Sequence, residues 1–223
     1  IKNPLAGIRG AAQLLRDGLK DEDAPLAQLI IEESDRIRRL VDRMQALAEA
    51  EPAALAPVNL HRVLERVRAL AANGFADGIV VREIYDPSLP LALADEDQLM
   101  QLFLNLMRNA AEATRRRGDS QGEIVLATAY RHGAWDGWGA GAPAQAAPLE
   151  VRVTDNGPGV ADSVRGRLFE PFVSTRESGG GLGLAVAARV VAAHGGRLDF
   201  ESTPGRTVFR VLLPIAGQQI EAT

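Results

Sequence analysis

The sequence predicts an α+β fold in two parts: an antiparallel helical hairpin, half of a dimeric four-helix bundle, followed by an α/β sandwich. Three observations carry that prediction. The first fifty residues hold their apolar side chains at helical spacing. Pro52 and Pro57 then break the pattern. Beyond them helical and strand-like stretches alternate. At 223 residues the chain is long enough for one or two domains with a core that needs no covalent staple.

Composition narrows the function classes. The chain has no cysteine, which excludes disulfide scaffolds, thiolate metal sites and cysteine nucleophiles and fits a reducing, cytoplasmic setting. Its net charge of -4 argues against a nucleic-acid binder, because phosphate backbones are held by clustered Lys and Arg. No uncharged apolar stretch approaches the ~20 residues of a membrane span. The longest candidate, 181–195, is interrupted by Arg189 and His194. No signal-peptide pattern opens the chain. The start at Ile1 rather than methionine reads as a cut within a longer protein.

In the first helix Ile1, Leu5, Ile8, Ala12, Leu15 and Leu19 recur at spacings of four and three, forming one stripe. A second helix from about Pro25 carries Leu26, Ile30, Ile37, Leu40, Met44 and Leu47, interrupted by Glu33. Gly18 and the acidic run 21–23 make the turn between them. Such a hairpin cannot bury both stripes alone, so a homodimer through residues 1–50 is expected; packing on the rest of the chain is the alternative. Domain limits follow: 1–51 for the hairpin, 52–58 for a linker, 59–216 for the second domain and 217–223 for a tail.

Within the second domain, residues 60–72, 95–117 and 182–194 read as helices, the last ended by Gly195 and Gly196. Strands are expected over 79–85, 91–94, 123–130, 149–155, 197–202 and 207–213, with 123–130 and 149–155 pairing. The Gly-, Ala- and Pro-rich stretch 132–148, containing Trp135 and Trp138, reads as a flexible excursion from that hairpin.

Three clusters carry candidate chemistry. Asn105 and Asn109 lie four apart on one helix face beside Leu102, Leu106 and Ala110. Asparagine is a mediocre helix former and is unfavourable to bury unpaired, so it implies partners: neighbouring backbone, or a metal–phosphate ligand. Asp155 ends a strand and is followed by Gly157 and Gly159, which suits acceptance of a hydrogen bond from a ligand amine; an ordinary turn is the alternative. The run Gly179–Gly180–Gly181–Leu182–Gly183–Leu184 opens an apolar helix, offering free N–H groups and a positive dipole end to an anion, unless it is only a capping linker. It has neither a Walker ending nor a dinucleotide frame.

In this order, with Phe169–Glu170–Pro171–Phe172 between the last two, the clusters resemble the ATP-binding domain of sensor histidine kinases, within the superfamily of gyrase, Hsp90 and MutL. The opening Ile1–Lys2–Asn3–Pro4–Leu5 looks like the end of a phosphoacceptor box. Residues 7–15 and 204–214 are similar to nitrogen-regulation (NtrB-type) kinases in particular. The resemblance implies an ATP-binding sandwich of the histidine kinase/gyrase/Hsp90 type over 59–216. It also implies Mg2+ and ATP as cofactors, autophosphorylation on a histidine and transfer to an aspartate of an NtrC-like response regulator receiver domain. A PII-type regulatory protein is a further implied partner.

By motif position, Asn109 is the implied Mg2+ ligand and Asn105 lies near the phosphates. Asp155 accepts the adenine amino group, Gly157 and Gly159 shape the pocket floor, and Thr207 supplies a hydroxyl near adenine. Gly181, Leu182, Gly183 and Leu184 approach the phosphates, Arg176 reaches them from a lid over 156–180, and Asn3 orients water for phosphatase action. Asn3 before Pro4 also suits a simple helix-shaping role. The hydrolase branches resemble a Glu at the position of Asn105, and asparagine cannot act as a general base; transfer to a protein nucleophile is therefore implied over hydrolysis. An ATP hydrolase and a non-enzymatic dimerisation module remain the rival readings. The acceptor histidine itself is expected just before Ile1, so this chain is expected not to autophosphorylate. His61, His132 and His194 are read as helix-end or loop residues rather than as replacements.

Overall fold

The computed structural model describes residues 8, 10–13, 27–34, 37, 53–118, 122–131, 147–173 and 181–217. The chain divides into two compact units, Ile1–Ala50 and Glu51–Thr223. In the first, residues 10–13 and 27–34 are helical. Ala12, Ala27, Ile31 and Ser34 are buried, whereas Ile8, Ile30 and Ile37 remain 49%, 45% and 40% exposed. The stripe expected to face inward therefore divides, leaving three isoleucines open to solvent on a single copy. The hairpin's other stripe residues and its turn lie outside the described residues.

The second unit begins earlier than the expected linker allows. Ala56–Val58 forms strand β1, paired antiparallel with β3 (Ala92–Ala94). Pro57 is tolerated because this two-stranded sheet leaves its N side free of a further ladder, and Val58 is buried beneath it. Helix α1 (Leu60–Ala72) follows, capped by Asn59, whose side chain accepts from the N–H groups of His61 and Arg62. Helix α2 (Glu96–Arg115) is capped by Asp95, whose carboxylate accepts from Gln98 N–H at 3.0 Å, and its first turn carries Glu96 and Asp97 against the positive end of the dipole.

The main sheet has five strands in the order β2 (Val80–Ile84), β4 (Glu123–Tyr130), β5 (Leu149–Asp155), β7 (Arg206–Leu213) and β6 (Arg197–Thr203). The β2–β4 pair is parallel and the others are antiparallel. Short helix α3 (Asp162–Arg165) lies between β5 and α4 (Gly183–Ala193). Helices α1, α2 and α4 pack side by side, with α2 over β4 and β5 and α4 over β6 and β7. This is the two-layer sandwich the pattern predicts. Phe103, Leu106, Met107, Leu126, Val151 and Val153 fill it without exposure. The alanines of α4, Ala185 and Ala187, let it approach the sheet and α2 closely. The excursion 132–146, with His132 and both tryptophans, lies outside the described residues; its base is closed by Arg131 N–H to Pro148 O at 2.9 Å.

His194 is more than a helix-end residue. It is buried, its Nδ1 donates to Val190 O at 2.7 Å, and its Nε2 accepts from Asp95 N–H at 2.9 Å. Those partners fix a single neutral tautomer and tie the end of α4 to the start of α2. Asp95 completes the joint by accepting Ala54 N–H at 3.0 Å. Burial pushes the Asp95 carboxyl up, yet the N–H groups of Gln98, Ala54 and Asp97 outweigh it and hold the group below its usual range. His194→Ala is expected to lower stability by about 1–3 kcal/mol, the usual effect of stranding a buried donor, read as a lower urea midpoint by circular dichroism.

Candidate nucleotide site

The site is organised along one face of α2. Asn105, Asn109 and Ala113 follow at intervals of four and span about 12 Å of helix, comparable with the base-to-phosphate reach of a nucleotide. At one end stands the start of α4. A Cβ on Gly183 would sit 3.8 Å from both Asn105 Oδ1 and Asn109 Nδ2, so the missing side chain keeps a cradle open between the two amides and the helix terminus. One neutral amide oxygen, from Asn105, and one amide NH2, from Asn109, lie beside the helix N–H groups, an anion-attracting arrangement; an amide whose oxygen is turned inward would also suit a small, hard divalent cation. Leu182, wholly buried, anchors the turn, and its carbonyl accepts the first helical bond from Val186 at 2.9 Å. Leu184 is half-buried beside it.

Gly181 adopts φ +58°, and a Cβ there would lie 2.6 Å from the Phe172 carbonyl carbon. Only glycine fits that approach. Phe172 N–H donates to Gly181 O at 3.0 Å, closing the intervening loop at its base, and Phe172 itself has φ 66° and is 62% exposed. Arg176, Gly179 and Gly180, between these two residues in sequence, lie outside the described residues; Asn3 does too.

At the other end of the face, Asp155 finishes β5. It is buried, with Oδ1 accepting Gly157 N–H at 2.9 Å. Burial pushes its carboxyl up to about 6, partly offset by that hydrogen bond and by the Arg116 guanidinium at the end of α2. A Cβ on Gly157 would meet the Ala113 carbonyl carbon at 2.8 Å, so the glycine lets the chain after β5 lie flat on α2. Gly159, at φ +90°, passes 3.0 Å from Thr203 O on the same measure. Thr207 stands opposite Asp155 in the β5–β7 register.

Thus the start of α4 at Gly183 lies beside Asn105 and Asn109, while Gly157, bonded to Asp155, packs on Ala113 of the same helix; Thr207 is the register partner of Asp155. The beginning of the expected lid is fixed rather than free. Asn156 Oδ1 accepts Glu123 N–H at 3.0 Å, and Gly157 O accepts Gly205 N–H at 3.0 Å. Arg116, whose charge acts on Asp155, went unread in the sequence because a basic residue ending a helix has an ordinary dipole role.

Residues 94–217 match the family described as histidine kinase-, DNA gyrase B- and HSP90-like ATPase. The chain belongs to this ATPase family. Residues 1–53 match the His kinase A (phospho-acceptor) domain. The sensory histidine kinase/phosphatase NtrB of Rhizobium meliloti is 50% identical over 214 residues, covering 96% of this chain and 56% of that protein. The chain therefore spans little more than half the length of this curated relative. Among solved structures, full-length ShkA in complex with AMPPNP superposes with TM-score 0.72 at 31% identity, covering 96% of this chain and 44% of that one. The histidine kinase ThkA in complex with the response regulator protein TrrA superposes with TM-score 0.67 at 22% identity, covering 95% of this chain and 57% of that one; this likeness shows the fold. For this ATPase-family domain, no helix among the described residues is long and apolar enough to cross a membrane.

Proposed function

We propose that this chain is the ATP-binding and dimerisation core of a sensor histidine kinase that acts in nitrogen regulation and also dephosphorylates its regulator. The observation that carries the reading is the buried Asp155 at one end of the α2 face and the Asn105–Asn109–Gly183 cradle at the other. A carboxylate suits an exocyclic amine, and a helix N-terminus flanked by amides suits a triphosphate. Mg2+, when bound at Asn109, would neutralise phosphate charge. The residues do the rest: Asp155 reads the base, Gly183 admits the phosphates to the helix start, and Asn105 lies beside them without a carboxylate that could activate water. Arg176 would add charge from the lid.

The phosphoryl group would pass from ATP to a histidine nitrogen, releasing ADP, and then to an aspartate of an NtrC-like receiver domain. The relative's name supports both kinase and phosphatase action, and the ThkA–TrrA complex supports a regulator partner. The exposed Ile8, Ile30 and Ile37 support a homodimer through the first unit; Asn3, by its motif position, would orient water for dephosphorylation. A PII-type protein would be a further regulator, as the NtrB-type resemblance of residues 7–15 and 204–214 implies. The domain division proposed is a hairpin over 1–51, a nucleotide domain that takes in Ala56–Val58 and runs to 216, and a tail over 217–223.

The test supplies the chain with an upstream His-Glu pair and follows labelled phosphate from ATP to protein and then to a purified receiver domain. Label on the extended chain, absent from the present one, supports the reading. Steady phosphate release without labelled protein overturns it in favour of a hydrolase.

A further inference from the structure

We propose that Ser202 is a positioning residue for nucleotide recognition, orienting the Thr207 hydroxyl toward the base end of the pocket and binding the loop after Asp155 to the β6–β7 hairpin. The proposal rests on the adenine-nucleotide reading above and extends it to a residue that does not itself reach the ligand.

Ser202 is buried on β6, where it pairs in register with Thr207. Its Oγ accepts Val160 N–H at 2.9 Å and lies 3.0 Å from Thr207 Oγ1. Two hydroxyls hold two hydrogens, and their mutual bond uses one. With Val160 already donating to Ser202, a serine hydrogen directed at Thr207 leaves the threonine hydrogen free on the face shared with Asp155, its register partner across β5–β7. The opposite orientation would leave the spare hydrogen on Ser202, whose oxygen already faces a donor, the Val160 N–H, on its other side. The order Val160 to Ser202 to Thr207 therefore delivers a donor to the place where a base would lie.

The same residue holds the loop. Ser202 O accepts from Arg165 Nη2, and Arg165 also pairs with Asp162 at 3.2 Å. Gly205 N–H donates to Gly157 O at 3.0 Å, and Gly159 packs against Thr203 O. The stretch 157–165 is thus lashed to the hairpin through backbone atoms, with Ser202 as its one side-chain anchor on β6 among the described residues. Replacing Ser202 by alanine would free the threonine rotor and strand Val160 N–H together.

Calorimetric titration of Mg-ATP into the full chain tests this with Ser202→Ala, Thr207→Ala and the double variant. Should Ser202→Ala not fold, Ser202→Cys, of similar volume and weak as a donor, takes its place. Each single variant is expected to weaken binding about tenfold, and the double variant to lose clearly less than the product of the two, since the share of the loss that runs through Thr207 is counted only once. Wild-type affinity in Ser202→Ala, or losses that multiply in the double variant, would overturn the proposal while leaving the nucleotide site standing. A wild-type chain that binds no nucleotide would overturn the adenine reading and this proposal with it.

Discussion

Asp155→Asn is expected to make the ligand-free protein more stable while removing most of its affinity for ATP. The carboxyl is buried and its protonation midpoint lies near 6, against an ordinary value of 3.8. A raised carboxyl binds protons more tightly in the folded than in the unfolded state. Stability therefore falls as pH rises from about 4 to about 6, and the full penalty is present above that window. Raising a carboxyl from 3.8 to about 6 corresponds to about 3 kcal/mol, an upper figure for what a neutral side chain of the same shape would recover at about pH 8. The gain should shrink through the window and vanish below about pH 4, where aspartate is itself neutral. Urea unfolding of both forms at about pH 8 and about pH 4 checks the sign.

Binding should move oppositely. With Oδ1 kept on the Gly157 N–H, the asparagine would turn its Nδ2 to the exocyclic amine, donor against donor, and a charge-assisted hydrogen bond is worth about 1.5–3 kcal/mol, so affinity should fall on the order of 10–100-fold. The wild type should also lose affinity as pH drops below about 6, a trend that Asp155→Asn, corrected for protonation of the phosphates themselves, should not share. A buried carboxylate that destabilises its own fold yet sits opposite Thr207 at a pocket floor is a functional compromise.

Asn109→Asp should spare the fold and abolish phosphate binding. Its amide lies beside Gly183 at the start of α4, where a negative side chain would be welcomed by the helix terminus. The variant should therefore unfold at or slightly above the wild-type midpoint. The new carboxylate would take over the electrostatic role proposed for phosphate at that helix start and would repel the triphosphate. At about 4 Å, and a surface-like effective dielectric of about 20, like charges oppose each other by about 4 kcal/mol. A loss on the order of 100-fold or more follows, measured by displacement of a fluorescent ATP analogue. Asn109→Ala, which adds no charge, should lose less.

Much of this site was legible because its parts are local. Asp155 with its glycines, the asparagine pair and the glycine run each declare themselves within a few residues, and strands 123–130 and 149–155 have the bounds their alternation predicts. What was hidden depends on long-range register. Ser202 meets Thr207 only because β6 and β7 pair as they do, and His194 meets Asp95 across 99 residues of sequence. Ala56–Val58 read as a linker because Pro57 is a breaker; its pairing with β3 decides otherwise. In the hairpin, helical spacing gives a stripe but not its division, which leaves Ile30 and Ile37 exposed while Ile31 is buried.

If one face of α2 holds a nucleotide between Asp155 and the Asn109–Gly183 cradle, both ends should be indispensable to binding. Calorimetric titration of Mg-ATP into the 223-residue chain and into its Asp155→Ala and Asn109→Asp variants decides the matter. One saturable site in the parent chain and no detectable heat of binding in either variant is the expected result. Parent-like affinity in both variants would contradict it.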